Sequence, residues 1–308
     1  MAAPDIPTIH RCHYGWDRSL APVCTVEPGQ EVELWVRDAS DGQITEHATA
    51  ADLVAMDAQR VNPVNGPVAV EGARPTDALC LEILELEGTG WGWTGLIPGF
   101  GLLADQFPEP FVHVSRYDGR SVEFLPGIEI PQRSFPGTVG VAPAEPGSHG
   151  IIPPRRVGGN MDFRGLVPGA KVWLPVEVSG ALWSLGDTHA AQGHGEVCGT
   201  AVETSMRVRV RCELEPGAAP RFPRFRVPDG HSVAAGPQWV TSGVGPDLWQ
   251  GLRDAVREMI DLVMARHGLS AEHAYCLVSV AGDLGLAEVV DAPHWMATVH
   301  LPESVFRG

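Results

Sequence analysis

The stretch MRVRVRCEL at residues 206–214 alternates apolar and polar side chains without a break. Val208, Val210 and Cys212 fall on one face and the arginines on the other, because successive side chains of a β-strand point to opposite faces. The pattern predicts a strand with a core on one side and water on the other. Three similar segments follow turns that contain Pro or Gly: residues 31–37 (EVELWVR), 78–87 (ALCLEILELE) and 170–178 (AKVWLPVEV).

Helical periodicity is concentrated towards the carboxyl end. From Asp247 onward, apolar residues recur at three- and four-residue intervals until Gly268, a residue type that commonly ends helices. A second helix is expected from Ser270 to about Val280, followed by a last strand near residues 295–301. Because the helices do not alternate with strands, the expected fold class is β-rich α+β with a C-terminal helical block, and a doubly wound nucleotide-binding sheet is not supported.

Glycine and proline are frequent along the whole chain, which contains 36 Gly and 27 Pro. This composition suits many short strands joined by turns. Turn-and-strand units recur along the chain, so one domain over 1–308 is expected to contain two related β portions, 1–150 and 151–308. Two segments are predicted to lack strands: residues 135–159, as a long ordered loop or linker, and residues 91–101, as an aromatic and glycine loop.

The charge balance and the termini exclude several classes of protein. The 308 residues carry a formal net charge of −16, which disfavours binding to nucleic acid and to anionic membrane surfaces. Residues 1–11 show no targeting pattern and no window approaches 18 uninterrupted apolar residues, so a soluble, cytoplasmic protein is expected. The six cysteines are scattered, which favours free thiols over a disulfide framework.

The densest polar cluster is GDTHAAQGHGEVC at residues 186–198. Imidazole nitrogens and carboxylate oxygens are ligands that Zn²⁺ and similar ions accept, and the glycines allow the backbone curvature that brings side chains together. In an extended segment Asp187 and His189 point to the same face, so both could address one ion. The alternative is a polar surface turn whose residues hydrogen-bond locally.

A second cluster is GGNMD at residues 158–162. Its Asn160 amide and Asp162 carboxylate are two residues apart and could present a donor and a carboxylate to one small ligand. The alternative is an Asx turn, in which both groups bond to nearby backbone. Trp91 and Trp93 are aromatic residues among glycines, and they suit either core packing or a hydrophobic pocket wall.

Five motifs, in order along the chain, resemble the acetamidase/formamidase family. The resemblance implies a β-rich fold of two related, jelly-roll-like or β-sandwich-like portions and the hydrolysis of short aliphatic amides such as formamide or acetamide. It also implies a divalent metal, with zinc favoured and calcium or another divalent ion as alternatives, and a homo-oligomer. The motifs are GWGWTGLIPGFGLLADQFPEP (90–110), GVAPAEPG (140–147), PPRRVGGNMD (153–162), GDTHAAQGHGEVCGTAVE (186–203) and EVVDAP (288–293).

The resemblance, carried over position by position, suggests a role for each polar residue. Asp187 and His189 are expected to bind the metal, with Asp162 as a weaker third ligand. Glu196 is expected to act as general base and then as proton donor, and Asn160 to donate a hydrogen bond to the substrate oxygen. The nucleophile in this hypothesis is a water activated by the metal.

The substrate pocket is expected to include Trp91, Trp93 and His194. His194 stands where the family usually has an aspartate. If its side chain faces the site, the exchange of an anion for a neutral imidazole removes one negative charge from the site and changes the preferred metal or substrate. If it points away from the site, the exchange means little.

Two other interpretations remain open at this point. Cys198 could attack the amide as a thiolate, with His189 or His194 as its base, although a buried structural cysteine is the commoner case. The chain could also be a non-catalytic β-sandwich module that binds a metal or a small ligand, since likeness of fold does not establish activity. No further cofactor is expected.

Overall fold

The computed structural model describes residues 6–229 and 236–306. The expected absence of a targeting sequence concerns residues 1–11. The first five of these lie outside the described residues. The helices are α1 (Ala50–Ala55), α2 (Leu248–His267) and α3 (Ala271–Ala281). The strands are β1 (Thr8–Ile9), β2 (Cys12–His13), β3 (Cys24–Val26), β4 (Glu31–Val36), β5 (Val64–Val70), β6 (Ala78–Gly88), β7 (Trp91–Leu96), β8 (Phe111–Tyr117), β9 (Ser121–Leu125), β10 (Ile128–Pro131), β11 (Phe135–Val141), β12 (Gly158–Asn160), β13 (Lys171–Pro175), β14 (Trp183–His189), β15 (Met206–Glu215), β16 (Arg224–Val227), β17 (Gln238–Gly245), β18 (Asp283–Glu288) and β19 (Trp295–Pro302).

A nine-stranded sheet in the order β1-β4-β15-β6-β13-β16-β17-β19-β18 forms the main layer. The alternating stretch at 206–214 is strand β15, and it pairs antiparallel with both β4 and β6. Its apolar side chains Val208, Val210 and Cys212 are fully buried, as the alternation predicts. Since β4 and β6 belong to the first half of the chain and β15 to the second, the two halves share one sheet.

The outward face of β15 carries arginines that are matched by glutamates on the neighbouring strands. Arg207 lies 2.7 Å from Glu33 and Arg211 lies 2.7 Å from Glu31, nitrogen to oxygen. Pairs of this kind on an exposed face add little stability. They do neutralise the basic stripe, so it presents no free cationic surface.

A six-stranded sheet, β12-β11-β14-β5-β2 with β3 also on β5, packs against the main sheet. The side chains between the two sheets form the largest hydrophobic cluster, which includes Leu34, Leu81, Val139 and Trp183. The segment 135–159, predicted as a loop or linker, therefore contains β11 and the start of β12, so the prediction is wrong at both ends, while residues 142–157 between them form a loop as predicted. Every residue of β11 is buried, so the segment lacks the alternation by which a half-buried strand is recognised.

A four-stranded sheet, β10-β9-β8-β7, holds the aromatic segment that was predicted to be an irregular loop. Trp91–Leu96 is strand β7 and pairs with β8. A Cβ atom added at Gly92 would lie 2.6 Å from the Glu203 carbonyl oxygen, so glycine is required for close contact with the neighbouring chain. The glycines that suggested a loop thus mark a place where two backbones approach closely.

The two long helices pack on the outer face of the nine-stranded sheet, where Met259 and Leu262 join Trp173 and Trp239 in a second cluster. The predicted ends are confirmed. The Asp247 side chain accepts a hydrogen bond from Gln250 N at 2.9 Å, and Gly268 ends α2 with a left-handed φ of 65°. Strands therefore dominate, helices form a C-terminal block, and the expected fold class is confirmed. In the described part of the chain, no helix has both the length and the apolar character required to span a membrane.

Candidate active site

The end of β14 brings the predicted metal ligands together. His189 is fully buried, and its Nε2 lies 3.2 Å from Asp187 Oδ1 and 3.1 Å from Glu203 Oε2. Its Nδ1 lies 4.0 Å from Asp162 Oδ1. Two groups of ligand atoms therefore share the imidazole: Asp187–His189–Glu203 on one side and Asp162–His189–Glu196 on the other.

The orientation of Gln192 determines which side of the imidazole is available to a cation. Gln192 Nε2 donates to the Asp162 carbonyl oxygen at 3.0 Å, so its Oε1, 2.8 Å from His189 Nδ1, is turned towards the ring. An amide oxygen can only accept, so Nδ1 carries the proton. In the neutral ring Nε2 is then a bare lone pair between the Asp187 and Glu203 carboxylates, which is the arrangement of a metal-binding histidine with its second nitrogen hydrogen-bonded.

The backbone at these acids adopts a conformation that side chains other than glycine rarely take. Asp162, Asp187 and Glu196 have left-handed φ angles of 45°, 54° and 47°. Each such residue costs about 1–3 kcal/mol, and strain of this kind concentrates at functional sites. Glycine is required at position 137, opposite Asp187, because a Cβ there would lie 2.7 Å from Asp187 Oδ2 and 2.7 Å from His189 Cε1.

Burial dominates the electrostatics of the cluster. Burial, followed by the charge of Asp187, raises the pKa of the Asp162 carboxyl to about 8. Burial likewise raises the pKa of Glu196, with the Asp162 charge adding to it, to well above its ordinary value. For His189 burial opposes the charged ring, but the Glu203 and Asp187 carboxylates outweigh it and hold the imidazole pKa well above its usual value. The cluster therefore favours added positive charge, as protons or as a cation.

The residues present fit a divalent cation. Glu203 Oε2 and both carboxylate oxygens of Asp162 are buried without a hydrogen-bond partner in the part of the chain that the structure describes. Buried oxygens are normally hydrogen-bonded, and unpaired ones call for an ion or a water. Carboxylates and an imidazole are a donor set that zinc and several other divalent ions accept.

A cavity of about 280 Å³ opens onto this cluster. Its polar side is formed by Asn160, Asp187, Glu196, Glu203 and Asp291. Its apolar side includes Met56, Val61, Trp93, Ile97 and Phe100. A small ligand in this cavity would face carboxylates and an amide at one end and hydrocarbon at the other.

Asn160 is held in place from both ends of its amide. Its Oδ1 accepts from the Thr138 hydroxyl, and its Nδ2 donates to Asp291 Oδ2 at 2.8 Å. The amide nitrogen has two hydrogens, so one of them is left for a ligand in the cavity.

Of the three residues predicted to line the substrate pocket, only one lines the cavity at the acid cluster. Trp93 lines the cavity and its Nε1 donates to Asp38 at 3.1 Å. Trp91 packs beside Trp93 in a separate hydrophobic cluster and is not among the cavity residues. His194 faces a second cavity, with His300 and Arg164. The structure thus places neither Trp91 nor His194 at the acidic cluster.

Glu203 and Asp291 are the site residues that sequence reasoning missed. Glu203 is fixed by β7, because the backbones of Trp93 and Glu203 exchange two hydrogen bonds of 2.9 and 2.8 Å. Asp291 comes from the loop after β18, where Glu288 accepts from the backbone nitrogens of Val290 and Asp291. Both acids lie inside quoted family motifs, so the motifs contained the signal, while local spacing did not.

Cys198 lies apart from the imidazoles. Within the described chain its hydrogen bonds go to Thr200, with the sulfur 3.3 Å from the Thr200 carbonyl oxygen. It borders an apolar pocket together with Leu102 and Val197. The structure therefore offers this thiol no base.

The family of the chain follows from comparison with known proteins. A model of the Acetamidase/Formamidase family matches residues 5–149 and 144–308. Acetamidase from Mycolicibacterium smegmatis is 27% identical over 270 residues, covering 67% of this chain and 66%, just under two thirds, of that protein. Formamidase from Methylophilus methylotrophus is 26% identical over 370 residues, covering 96% of this chain and 89% of that protein.

A solved structure agrees with the sequence matches. The crystal structure of acetamidase from Bacillus halodurans superposes with a TM-score of 0.88 at 29% identity, covering 97% of this chain and 98% of that one. The family model spans almost the whole chain, and the resemblance drawn from the motifs is confirmed. The chain belongs to the acetamidase/formamidase family.

Proposed function

We propose that the cavity hydrolyses short aliphatic amides, formamide or acetamide, to the carboxylate and ammonia. Family membership makes the chain an amide hydrolase acting on a carbon–nitrogen bond. The observation that carries the substrate class is the cavity itself: about 280 Å³, with the buried acid cluster at one end and a short apolar wall at the other. Such a space admits an aliphatic amide with its polar end on the acids, and the relatives named acetamidase and formamidase favour the shortest amides.

We propose a divalent metal, zinc by preference, held by Asp187, His189 and Glu203. This set replaces Asp162 with Glu203 as the third ligand, because Nε2 of the imidazole faces Asp187 and Glu203 while Nδ1 is occupied by Gln192. A bound divalent ion supplies a Lewis acid that lowers the pKa of water towards 7 and stabilises the developing oxyanion.

Asn160 orients the substrate. Its amide is clamped between Thr138 and Asp291, and its remaining N–H can donate to the substrate carbonyl oxygen. A donor that is already fixed needs no reorganisation as negative charge develops on that oxygen, which is the condition for efficient oxyanion stabilisation.

Glu196 is the general base and the general acid of the reaction. It lines the cavity, and burial together with the nearby Asp162 charge raises its pKa well above the ordinary value, so its carboxylate is a stronger base than an exposed one. A protonated carboxyl in this position can deliver its proton to the departing ammonia. In its ionised form the same group accepts a proton from the attacking water.

Phe100 sets the length of the acyl group. It separates the cavity from an outer apolar pocket of about 470 Å³, which it also lines. We expect Phe100→Ala to raise kcat/KM for hexanamide relative to acetamide by about tenfold, since each methylene that gains an apolar pocket contributes about 1–3 kcal/mol. Leu103→Ala, which lines only the outer pocket, is the matched control. An unchanged ratio in an active Phe100→Ala protein would contradict this role.

Ammonia release from a panel of amides tests the function. Formamide, acetamide, propionamide, hexanamide and benzamide are incubated with the purified protein, and ammonia is measured with time. We expect turnover of the shortest amides and a steep fall with chain length. No ammonia from any amide, in a protein that carries a stoichiometric metal, would favour the non-catalytic binding module instead.

We further propose that residues 1–308 form one domain whose two portions share the main sheet, and that the protein is a cytoplasmic homo-oligomer without nucleic-acid or membrane partners. All six cysteines are free, as suits a reducing compartment. The arginine stripe on β15 is paired with glutamates. Trp249 and Tyr275 are 71% and 59% exposed on the helical block, and exposed aromatic side chains of this size commonly mark subunit contacts.

A further inference from the structure

A second cavity, of about 120 Å³, is lined by an arginine and two histidines in place of the carboxylates of the acid cluster. Arg164, His194, His300 and Gln238 provide its polar lining. Chain connectivity links it to the active site, because Arg164 follows Asp162 by two residues and His194 precedes Glu196 by two. His194, which was predicted to line the substrate pocket, therefore lines this second cavity.

The guanidinium of Arg164 is the only full positive charge in the lining. In the described part of the chain it forms no ion pair, although it is half-buried. Burial, followed by the positive charge of Arg133, lowers the pKa of the Arg164 guanidinium. The one acid of the lining, Asp283, is exposed and is not within ion-pair distance of it. A half-buried arginine without an ion-pair partner can recognise an anion by charge-assisted hydrogen bonds.

The other polar groups are placed to complete such a site. Gln238 is 1% exposed, and its Oε1 has no hydrogen-bond partner within the described residues. Its amide can rotate to present either the oxygen or the two N–H donors to a ligand. His300 Nε2 is 3.0 Å from the Thr298 hydroxyl, which leaves its other ring nitrogen free to interact. The unpaired Gln238 oxygen is itself an acceptor, so the part of this amide that can bind an anion is Nε2 with its two N–H donors.

The remaining lining is apolar and limits the size of the ligand. Phe163, Val227 and Leu284 form this side of the cavity. An inorganic oxyanion such as phosphate carries polar oxygens in every direction and would leave some of them against hydrocarbon, at a cost in desolvation. An anion with one charged end and one short apolar end matches both sides.

We propose that this cavity binds a short-chain carboxylate, with its head group on Arg164 and the amide of Gln238 and its alkyl end against Phe163 and Val227. This assignment rests on the proposed function: a short-chain carboxylate is the class of product that the enzyme releases. The cavity is therefore a second binding site for the product. Because Arg164 and His194 are each two residues from a site acid, an occupied cavity restrains both segments. We expect carboxylate product to inhibit non-competitively through this cavity.

Binding is tested by ¹⁹F NMR, with trifluoroacetate as the probe and acetate and inorganic phosphate as competitors. We expect saturable broadening of the probe signal with the wild-type protein, displacement by acetate, and at least about tenfold weaker binding to Arg164→Met. Arg164→Lys retains the charge and should keep affinity within a few-fold. His194→Asp supplies an internal carboxylate to Arg164 and should abolish binding. Arg253→Met, on the outer surface of α2, is the matched control and should bind as the wild type does.

Two results would overturn the assignment. One is equal probe affinity in the wild type and a folded Arg164→Met protein, with folding checked by the thermal unfolding midpoint. The other is displacement by phosphate at the same concentration as acetate, which would indicate a general anion site. The titration requires no turnover, so a failure of the amidase activity leaves it interpretable. In an active enzyme, the non-competitive component of acetate inhibition should disappear in Arg164→Met while kcat stays unchanged.

Discussion

Replacing His189 by alanine is expected to lower kcat/KM for acetamide by about 10³-fold or more. The imidazole supplies Nε2 between the Asp187 and Glu203 carboxylates, so its loss removes a proposed metal ligand and leaves two buried acids facing each other. Lewis-acid stabilisation of the transition state amounts to several kcal/mol, and about 4 kcal/mol corresponds to roughly three orders of magnitude in rate. Ammonia release under substrate-limited conditions measures the effect.

The matched control is His273→Ala, which removes an exposed imidazole from the start of α3. Its activity should equal that of the wild type within about twofold, since surface substitutions away from special features are nearly neutral. The metal content of the His189→Ala protein should fall together with its activity. A His189→Ala enzyme that is folded and retains more than about a tenth of the activity would remove this histidine from the mechanism.

Gly137→Ala is expected to lower kcat/KM for acetamide about 10²-fold although the substitution adds only a methyl group. The new Cβ would lie 2.7 Å from Asp187 Oδ2 and 2.7 Å from His189 Cε1, so these buried side chains must leave their present positions. Displacing a ligand by a fraction of an ångström is enough to lose about 10²-fold in rate. Overpacking in a buried region also destabilises by about 1–3 kcal/mol. Steady-state kinetics and thermal unfolding together measure both effects.

Gly193→Ala provides the comparison for this variant. Gly193 lies in the loop between His189 and Glu196, and a Cβ there meets no atom within 4 Å. It should retain nearly full activity. If Gly137→Ala is as active as Gly193→Ala, the arrangement of Asp187 and His189 described above cannot be the working site.

The parts of the fold that are exposed on one side could be predicted from the sequence. Strand β15 and helix α2 each have one face in the core and one face towards water, so their apolar residues recur with the period of the element. Strand β11 is buried on both sides and shows no period, which is why the segment 135–159 was predicted to be a loop. Strand β7 contains glycines for close contact with Glu203, which hides its strand character.

The candidate site could be predicted only where its residues are neighbours in sequence. Asp187 and His189 are two residues apart on one strand, so local spacing predicts that both side chains can bind one metal ion. Glu203 reaches the same imidazole through its pairing with Trp93 on β7, and Asp291 reaches Asn160 from the loop after β18. Such contacts depend on how distant strands pair, and no local pattern encodes them. The direction of the His194 side chain depends on tertiary packing in the same way, so the sequence alone does not determine which cavity it lines.

Metal content measured against activity tests the central claim most directly, namely that the cluster around His189 holds a catalytic divalent ion. The enzyme is dialysed against a chelator, zinc is added back in steps, and bound metal and ammonia release from acetamide are measured on the same samples. We expect activity to fall at least about tenfold on metal removal and to rise in proportion to zinc, reaching its maximum at about one ion per chain. Full activity in protein that contains less than about a tenth of an ion per chain would contradict the account.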